Sequence, residues 1–170
     1  EYIDIAKFAM GVSRLMKAER VRDRIQRYDE AEIPVFFAGE VSELAAMQGV
    51  AAAYFQQIRA LGGWGVEVSN AQIALGIPEK VGLISAARQA ELEVIAECGR
   101  KGGVDWAGSL SLVAREVDAC LEAGAYRVLI QAEGLNEGVS EVNARFIEDL
   151  VGRFGLKALV FQAKTSTLIS

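Results

Sequence analysis

Residues 94–103 read VIAECGRKGG. Val94, Ile95 and Ala96 have the apolar character of a buried strand. A carboxylate (Glu97), a thiol (Cys98), two cations (Arg100 and Lys101) and the glycines Gly99, Gly102 and Gly103 follow at once. An acid and two bases at one strand tip admit two readings. One is a solvated basic turn. The other is an anion clamp, in which glycines let the backbone approach a ligand closely and a lysine with a lowered pKa donates a proton. Cys98 lies near this positive charge, which would lower its pKa, but without an imidazole partner a nucleophilic role is the weaker alternative.

Two further segments, VLIQA and LVFQA, repeat the VIAEC order of apolar residues, an acid or its amide, and a small residue. They predict Glu97, Gln131 and Gln162 at equivalent depth. Glu67 in VEVS, followed by Ser69, and Lys7 in IAKF add polar tips. The two glutamines are read first as groups that bond one another and the backbone. Buried carboxylates are costly without a cation, so Glu67 and Glu97 require one. Lys7 and Lys101 would serve, and so would Mg²⁺, which takes hard oxygen ligands. The small-residue tips FFAGE, containing Gly39, and VSNA would present backbone N–H groups to a phosphate.

The chain has 170 residues and no histidine. That excludes a Ser-His-Asp triad and a HExxH zinc site. Apolar residues make up 52% and charged residues 24%, with a net charge of −5, which fits a globular domain and argues against a basic nucleic-acid surface. No apolar run approaches the roughly 20 residues of a membrane span. Two cysteines, Cys98 and Cys120, are too few for a disulfide framework, and a cytoplasmic setting is the default.

Six short apolar runs, at residues 2–8, 33–38, 64–69, 92–98, 126–132 and 157–163, start about 30 residues apart, the length of a βαβ unit. Helical stripes fill the gaps: Val21, Ile25 and Tyr28; then Leu44, Ala45 and Met47, a break at Gly49, and Tyr54, Ile58 and Leu61; then Val81, Ile84 and Ala87 behind Pro78; then Leu112, Val113, Val117 and Leu121; and finally Val142, Phe146, Leu150 and Val151 after Ser140 as N-cap. Strand–helix alternation predicts a parallel sheet, either open and doubly wound or closed as a (β/α)8 TIM-type barrel. Polar tips on so many strands favour the barrel. Six units are fewer than eight, so the expectation is a single barrel domain over residues 1–170 that lacks the first unit, the last helix and the final unit. Trp64 and Trp106 are expected to pack, and GLNEG (134–138) to form a loop on the active face.

The runs YIDIAKFAMGVSRL, IPVFFAGEVSELA, WGVEVSN, VIAECGRK and AGAYRVLIQAEG resemble, in order and spacing, the phosphosulfolactate synthase family. The most specific pieces are YID-x-x-KF, the E-x-G-x-K formed by Glu97, Gly99 and Lys101, and the EAGA before Tyr126. The resemblance implies a Mg²⁺-dependent carbon–sulfur lyase that adds sulfite to phosphoenolpyruvate on the way to coenzyme M. It places Lys101 where the family's acid lies. By the same resemblance, Glu97 and Glu67 hold the metal or orient Lys101. Lys7 and Arg100 neutralise phosphate or sulfonate, and Gly39, Ser69, Gln131 and Lys164 complete the substrate site.

The chain also departs from the family. Ala38-Gly39-Glu40 replaces a Gly-Gly pair and a hydroxyl residue, and Ser69-Asn70-Ala71 replaces SDG. Gln131-Ala132-Glu133-Gly134 replaces Glu-Gly-Arg-Glu, and Phe161-Gln162-Ala163-Lys164 replaces FEAP. These changes keep two alternatives open: a divergent enzyme acting on another anionic substrate, and a catalytically silent barrel with a binding or stress-related role. Whether Glu133 or Lys164 faces the mouth discriminates among them. Outer helices of barrels often pair, so a homo-oligomer is a further expectation.

Overall fold

A computed structural model describes residues 3–9, 11–70, 72–99, 110–132 and 143–162. Arg100, Lys101, Trp106, Glu133, Ser140, Val142, Lys164 and the GLNEG segment lie outside them.

Among the described residues, six strands form one sheet: β1 (Ala6–Phe8), β2 (Val35–Phe37), β3 (Gly65–Val68), β4 (Glu93–Cys98), β5 (Arg127–Ile130) and β6 (Leu159–Phe161). Every neighbouring pair is parallel, and the spatial order is β1-β2-β3-β4-β5-β6. A doubly wound sheet reverses its order at a switch point. This one does not reverse, so each helix crosses the sheet in the same sense, as in a (β/α) barrel.

The helices are α1 (Ala18–Asp29), α2 (Gly39–Met47), α3 (Ala51–Ala60), α4 (Ile77–Gln89), α5 (Leu110–Glu122) and α6 (Ala144–Phe154), with a 3-10 turn at Val12–Leu15. The break expected at Gly49 is real. Gly49 takes φ +70° and separates α2 from α3. α4 begins with Gly76, whose N–H donates to Glu79 Oε2 at 2.6 Å, and Pro78 sits in its first turn. α6 is capped by Asn143, whose Oδ1 accepts the Phe146 N–H at 3.2 Å. Ser140, the expected cap, precedes that residue by three positions and lies outside the described residues.

The core lies between the sheet and its helices. Val66 and Val68, Val94, Ala96 and Cys98, and Val128 and Ile130 supply the strand side, meeting Ile25, Phe55, Ile84, Val117 and Leu150 among others. The expected stripes are rotated in places. Tyr28, Met47 and Leu112 are exposed, whereas Ser42, Glu43 and Lys80 are buried.

Candidate functional site

Strand residues alternate between faces. With Val66, Val68, Ala96, Cys98, Val128 and Ile130 packed against helices, the alternate residues Lys7, Phe36, Glu67, Ile95, Glu97 and Leu129 point to the other face. That face carries the chemistry. Phe36, Glu67, Ile95, Glu97 and Gln131 are all buried there.

Glu67 is the centre of a bonded cluster at the ends of β1, β2 and β3. Its Oε2 accepts from Lys7 Nζ at 2.6 Å, and its Oε1 accepts from the Gly39 N–H at 3.0 Å. Lys7 crosses β2 to reach it, with Nζ 5.8 Å from the centre of the Phe36 ring. Alternate strands of a flat sheet lie roughly 10 Å apart, so this reach draws β1 and β3 together over Phe36. The Glu67 side chain is 3% exposed and that of Lys7 33%, so the cation keeps a solvent-facing side. Lys7→Met therefore leaves a buried carboxylate with one backbone donor. We expect a loss of about 2–4 kcal/mol in urea unfolding. Glu67→Gln combined with Lys7→Met recovers part of it, because the uncompensated charge is gone.

A second cluster lies beside the first. Ser69 Oγ donates to Glu43 Oε1 in a short hydrogen bond. Glu43 Oε2 accepts the N–H groups of Gln72 at 2.8 Å and Ile73 at 3.0 Å. Ser42 Oγ shares its one proton between the carbonyls of Gly39 and Glu67, both at 2.7 Å. The inward side of α2 is thus Gly39, Ser42, Glu43 and Ala45, polar because it faces strand tips and not the apolar sheet. Neither Ser42 nor Glu43 was singled out from sequence, although their i, i+3, i+4 relation to Gly39 marks that side.

The third cluster surrounds Lys80, also missed. Its ammonium bonds Asn70 Oδ1 at 3.0 Å, the Glu97 carbonyl at 2.6 Å and Glu116 Oε1 at 2.5 Å. Burial alone would lower its pKa, but the charge and hydrogen bond of the Glu116 carboxylate beside it act the other way, and its pKa lies above the ordinary value. The legible signal was its spacing: Lys80, Ile84 and Ala87 are the buried residues of α4, at i, i+4 and i+7.

The structure accounts for several of the departures. Asn70 keeps the acceptor oxygen that an aspartate would offer Lys80. Ala38 fits its buried position, and its peptide N–H bonds the Phe8 carbonyl at 3.0 Å. Glu40 Oε2 is buried without a hydrogen-bond partner among the described residues.

Two expectations are corrected. First, Glu97 pairs with Leu129 and Leu129 with Val160, so Gln131 and Gln162 are level in the ladder while Glu97 is level with Leu129, two residues before Gln131. Second, Cys98 points into the core, where its hydrogen bond with Cys120 and burial push its thiol well above the usual range despite Lys80. It is therefore protonated and not a nucleophile. The Gly39 N–H and the Ser69 hydroxyl, named from sequence for the substrate site, bond Glu67 and Glu43 here.

No group of three acidic, thiol or imidazole side chains among the described residues forms a metal cage. Both oxygens of Glu67 already accept hydrogen bonds, from Lys7 and from the Gly39 N–H, so a cation bound there would share them with those donors.

A family model described as (2R)-phospho-3-sulfolactate synthase (ComA) matches residues 1–169. The phosphosulfolactate synthase of Methanothermobacter thermautotrophicus is 28% identical over 96% of the chain and 66% of its own length. That of Methanocaldococcus jannaschii is 24% identical over 96% and 68% respectively. The chain thus spans about two thirds of these curated relatives. Among solved structures, a phosphoenolpyruvate phosphomutase from Streptomyces platensis subsp. rosaceus superposes with TM-score 0.57 at 17% identity, over 95% of this chain and 68% of that one. A phosphonopyruvate hydrolase in complex with oxalate and Mg²⁺ gives 0.55 at 15%, over 95% and 76%. These two carry the barrel-type fold. With the family model matching nearly every residue, the chain belongs to the (2R)-phospho-3-sulfolactate synthase family.

Proposed function

We propose that this chain carries the sulfite-adding site of a phosphosulfolactate synthase, a lyase-class enzyme acting on phosphoenolpyruvate in the route to coenzyme M. One observation supports this most. The ends of β1, β2 and β3 are joined by Lys7, Glu67 and Gly39 into one polar cluster, in a chain matched by that family over residues 1–169.

Sulfite is a strong nucleophile and needs no base, so the absence of histidine is no obstacle. Its sulfur bonds C3 of phosphoenolpyruvate, the C2–C3 π pair moves into the carboxylate, and a proton delivered to C2 completes phosphosulfolactate. Lys101 is the proposed donor of that proton. Glu97 orients Lys101 or takes part in holding Mg²⁺, and Lys7, its side chain 33% exposed, shares with Arg100 and Lys164 the role of meeting substrate negative charge. Glu67 acts by holding Lys7 at its place. When bound, Mg²⁺ supplies neutralising charge for the developing carboxylate dianion.

A second reading, a divergent enzyme acting on a different anionic substrate, is favoured by Gln131, a buried amide where the family carries an acid. Mixing the full-length protein with phosphoenolpyruvate and Mg²⁺ in the presence and absence of sulfite, and following the enol absorbance, separates the two. Sulfite-dependent loss supports the synthase. Constant absorbance removes it and leaves the second reading.

A further inference from the structure

We infer that Lys80 is a positioning residue that fixes the end of β4, and with it Glu97, against the end of β3. This deepens the proposed function and rests on it where activity is the readout.

Lys80 stands in the first turn of α4, where the helix dipole disfavours a cation. It is also 1% exposed, where an unpaired ammonium is very costly. A cation in so unfavourable a place is tolerated only because all three of its protons find acceptors. One acceptor is the backbone carbonyl of Glu97 itself, at 2.6 Å. Another is Asn70 Oδ1, two residues beyond the end of β3. The third is Glu116 on α5. The ammonium therefore links two adjacent strand tips to two helices on the outer side of the sheet, while the Glu97 side chain points to the opposite side. Asn70 and Glu116, together with Gly99, also line a cleft of about 360 Å³.

Lys80 does not touch the face where Lys7 and Glu67 meet, so it acts through Glu97. Losing its bond frees the Glu97 peptide to rotate, and a shift of about 1 Å in a reacting group can cost about 100-fold in rate. A planar guanidinium does not reproduce three donors radiating from one nitrogen. Lys80→Arg should therefore not rescue.

The test compares the full chain with Lys80→Met, Lys80→Arg and Glu116→Gln, measuring kcat and KM for sulfite addition to phosphoenolpyruvate alongside site-resolved amide exchange. Lys80→Met and Lys80→Arg should lower kcat about 100-fold with KM within about threefold. Glu116→Gln, which keeps an acceptor, should lose about tenfold or less. Exchange in the lysine variants should accelerate at the Gln131 N–H, which bonds the Cys98 carbonyl at 3.1 Å. It should not accelerate at the Ala38 N–H, which bonds Phe8 at the β1–β2 tip.

A rise in KM with kcat unchanged, full activity in Lys80→Arg, or uniform acceleration at both amides overturns the inference. If Lys80→Met does not fold, Glu116→Gln decides by the same exchange contrast. If the unaltered protein adds no sulfite, the proposed function falls alone, and the exchange pattern still decides the role of Lys80.

Discussion

Replacing Lys101 by Ala should abolish sulfite addition while leaving the fold intact. The expected loss in kcat is about 10²–10⁴-fold, the usual contribution of a positioned general acid. The argument is chemical. Sulfite attack at C3 leaves an electron-rich C2 that must receive a proton. The chain has no histidine, and Cys98 is a buried, protonated thiol turned away into the core. Lys101 lies four residues after Glu97 in the E-x-G-x-K pattern. The strand that precedes it owes its stability to Val94, Ala96 and Cys98, all fully buried. The circular-dichroism melt should therefore match the parent within about 2 °C, the shift of a change worth less than about 0.5 kcal/mol. Unchanged turnover in Lys101→Ala would assign the proton to another group.

The second large effect belongs to Gly39→Ala. A methyl group here would lie 2.0 Å from Ser69 Oγ, 2.6 Å from Ser69 Cβ and 2.9 Å from Glu67 Oε1. These atoms cannot simply yield, because Ser69 is held by Glu43 and Glu67 by Lys7. Overpacking costs about 1–3 kcal/mol, and breaking the Ser69–Glu43 bond adds roughly 1 kcal/mol more. For a chain of this size that lowers Tm by about 4–16 °C. Adding Ser69→Gly to Gly39→Ala removes both contacted Ser69 side-chain atoms and should return part of the loss. A Gly39→Ala protein as stable as its parent would mean that the three strand tips are not packed as described.

The same geometry explains one family departure. By the family resemblance, Ala38 stands at the first position of a Gly-Gly pair, and its methyl group is accommodated at a buried position. Only the second position is closed to a side chain. The pair was visible in the sequence, but which glycine the fold requires is a matter of neighbours from β3, 30 residues away, and no local pattern contains it.

The strands and helices were legible because both rest on period, β-branched runs of strand length and helical stripes between them, and the barrel was legible from the polar residues at so many strand tips. The Gly49 break was legible because glycine punctuates a helix. The Lys7–Glu67 pairing was legible in kind, since a buried carboxylate requires a cation. The Lys80 cluster was not. A lysine in an amphipathic helix reads as solvent-facing, and its burial follows from acceptors on β3, β4 and α5 that only tertiary structure assembles. Glu43 was hidden for the same reason, its donors being Ser69 and the peptides of Gln72 and Ile73. The equal depth assigned to Glu97, Gln131 and Gln162 failed because similar tip sequences do not fix strand register. Register is set by which residues pair across the ladder, and Glu97 pairs with Leu129.

The most direct measurement is a carbon NMR spectrum of [3-¹³C]phosphoenolpyruvate incubated with the full-length protein, Mg²⁺ and sulfite. The account predicts that the labelled vinyl carbon becomes a saturated methylene bonded to sulfur, and that Lys7→Met, which strips the strand-tip cluster of its cation, slows this conversion. A label that stays vinylic in the unaltered protein, with the phosphate intact, would contradict it.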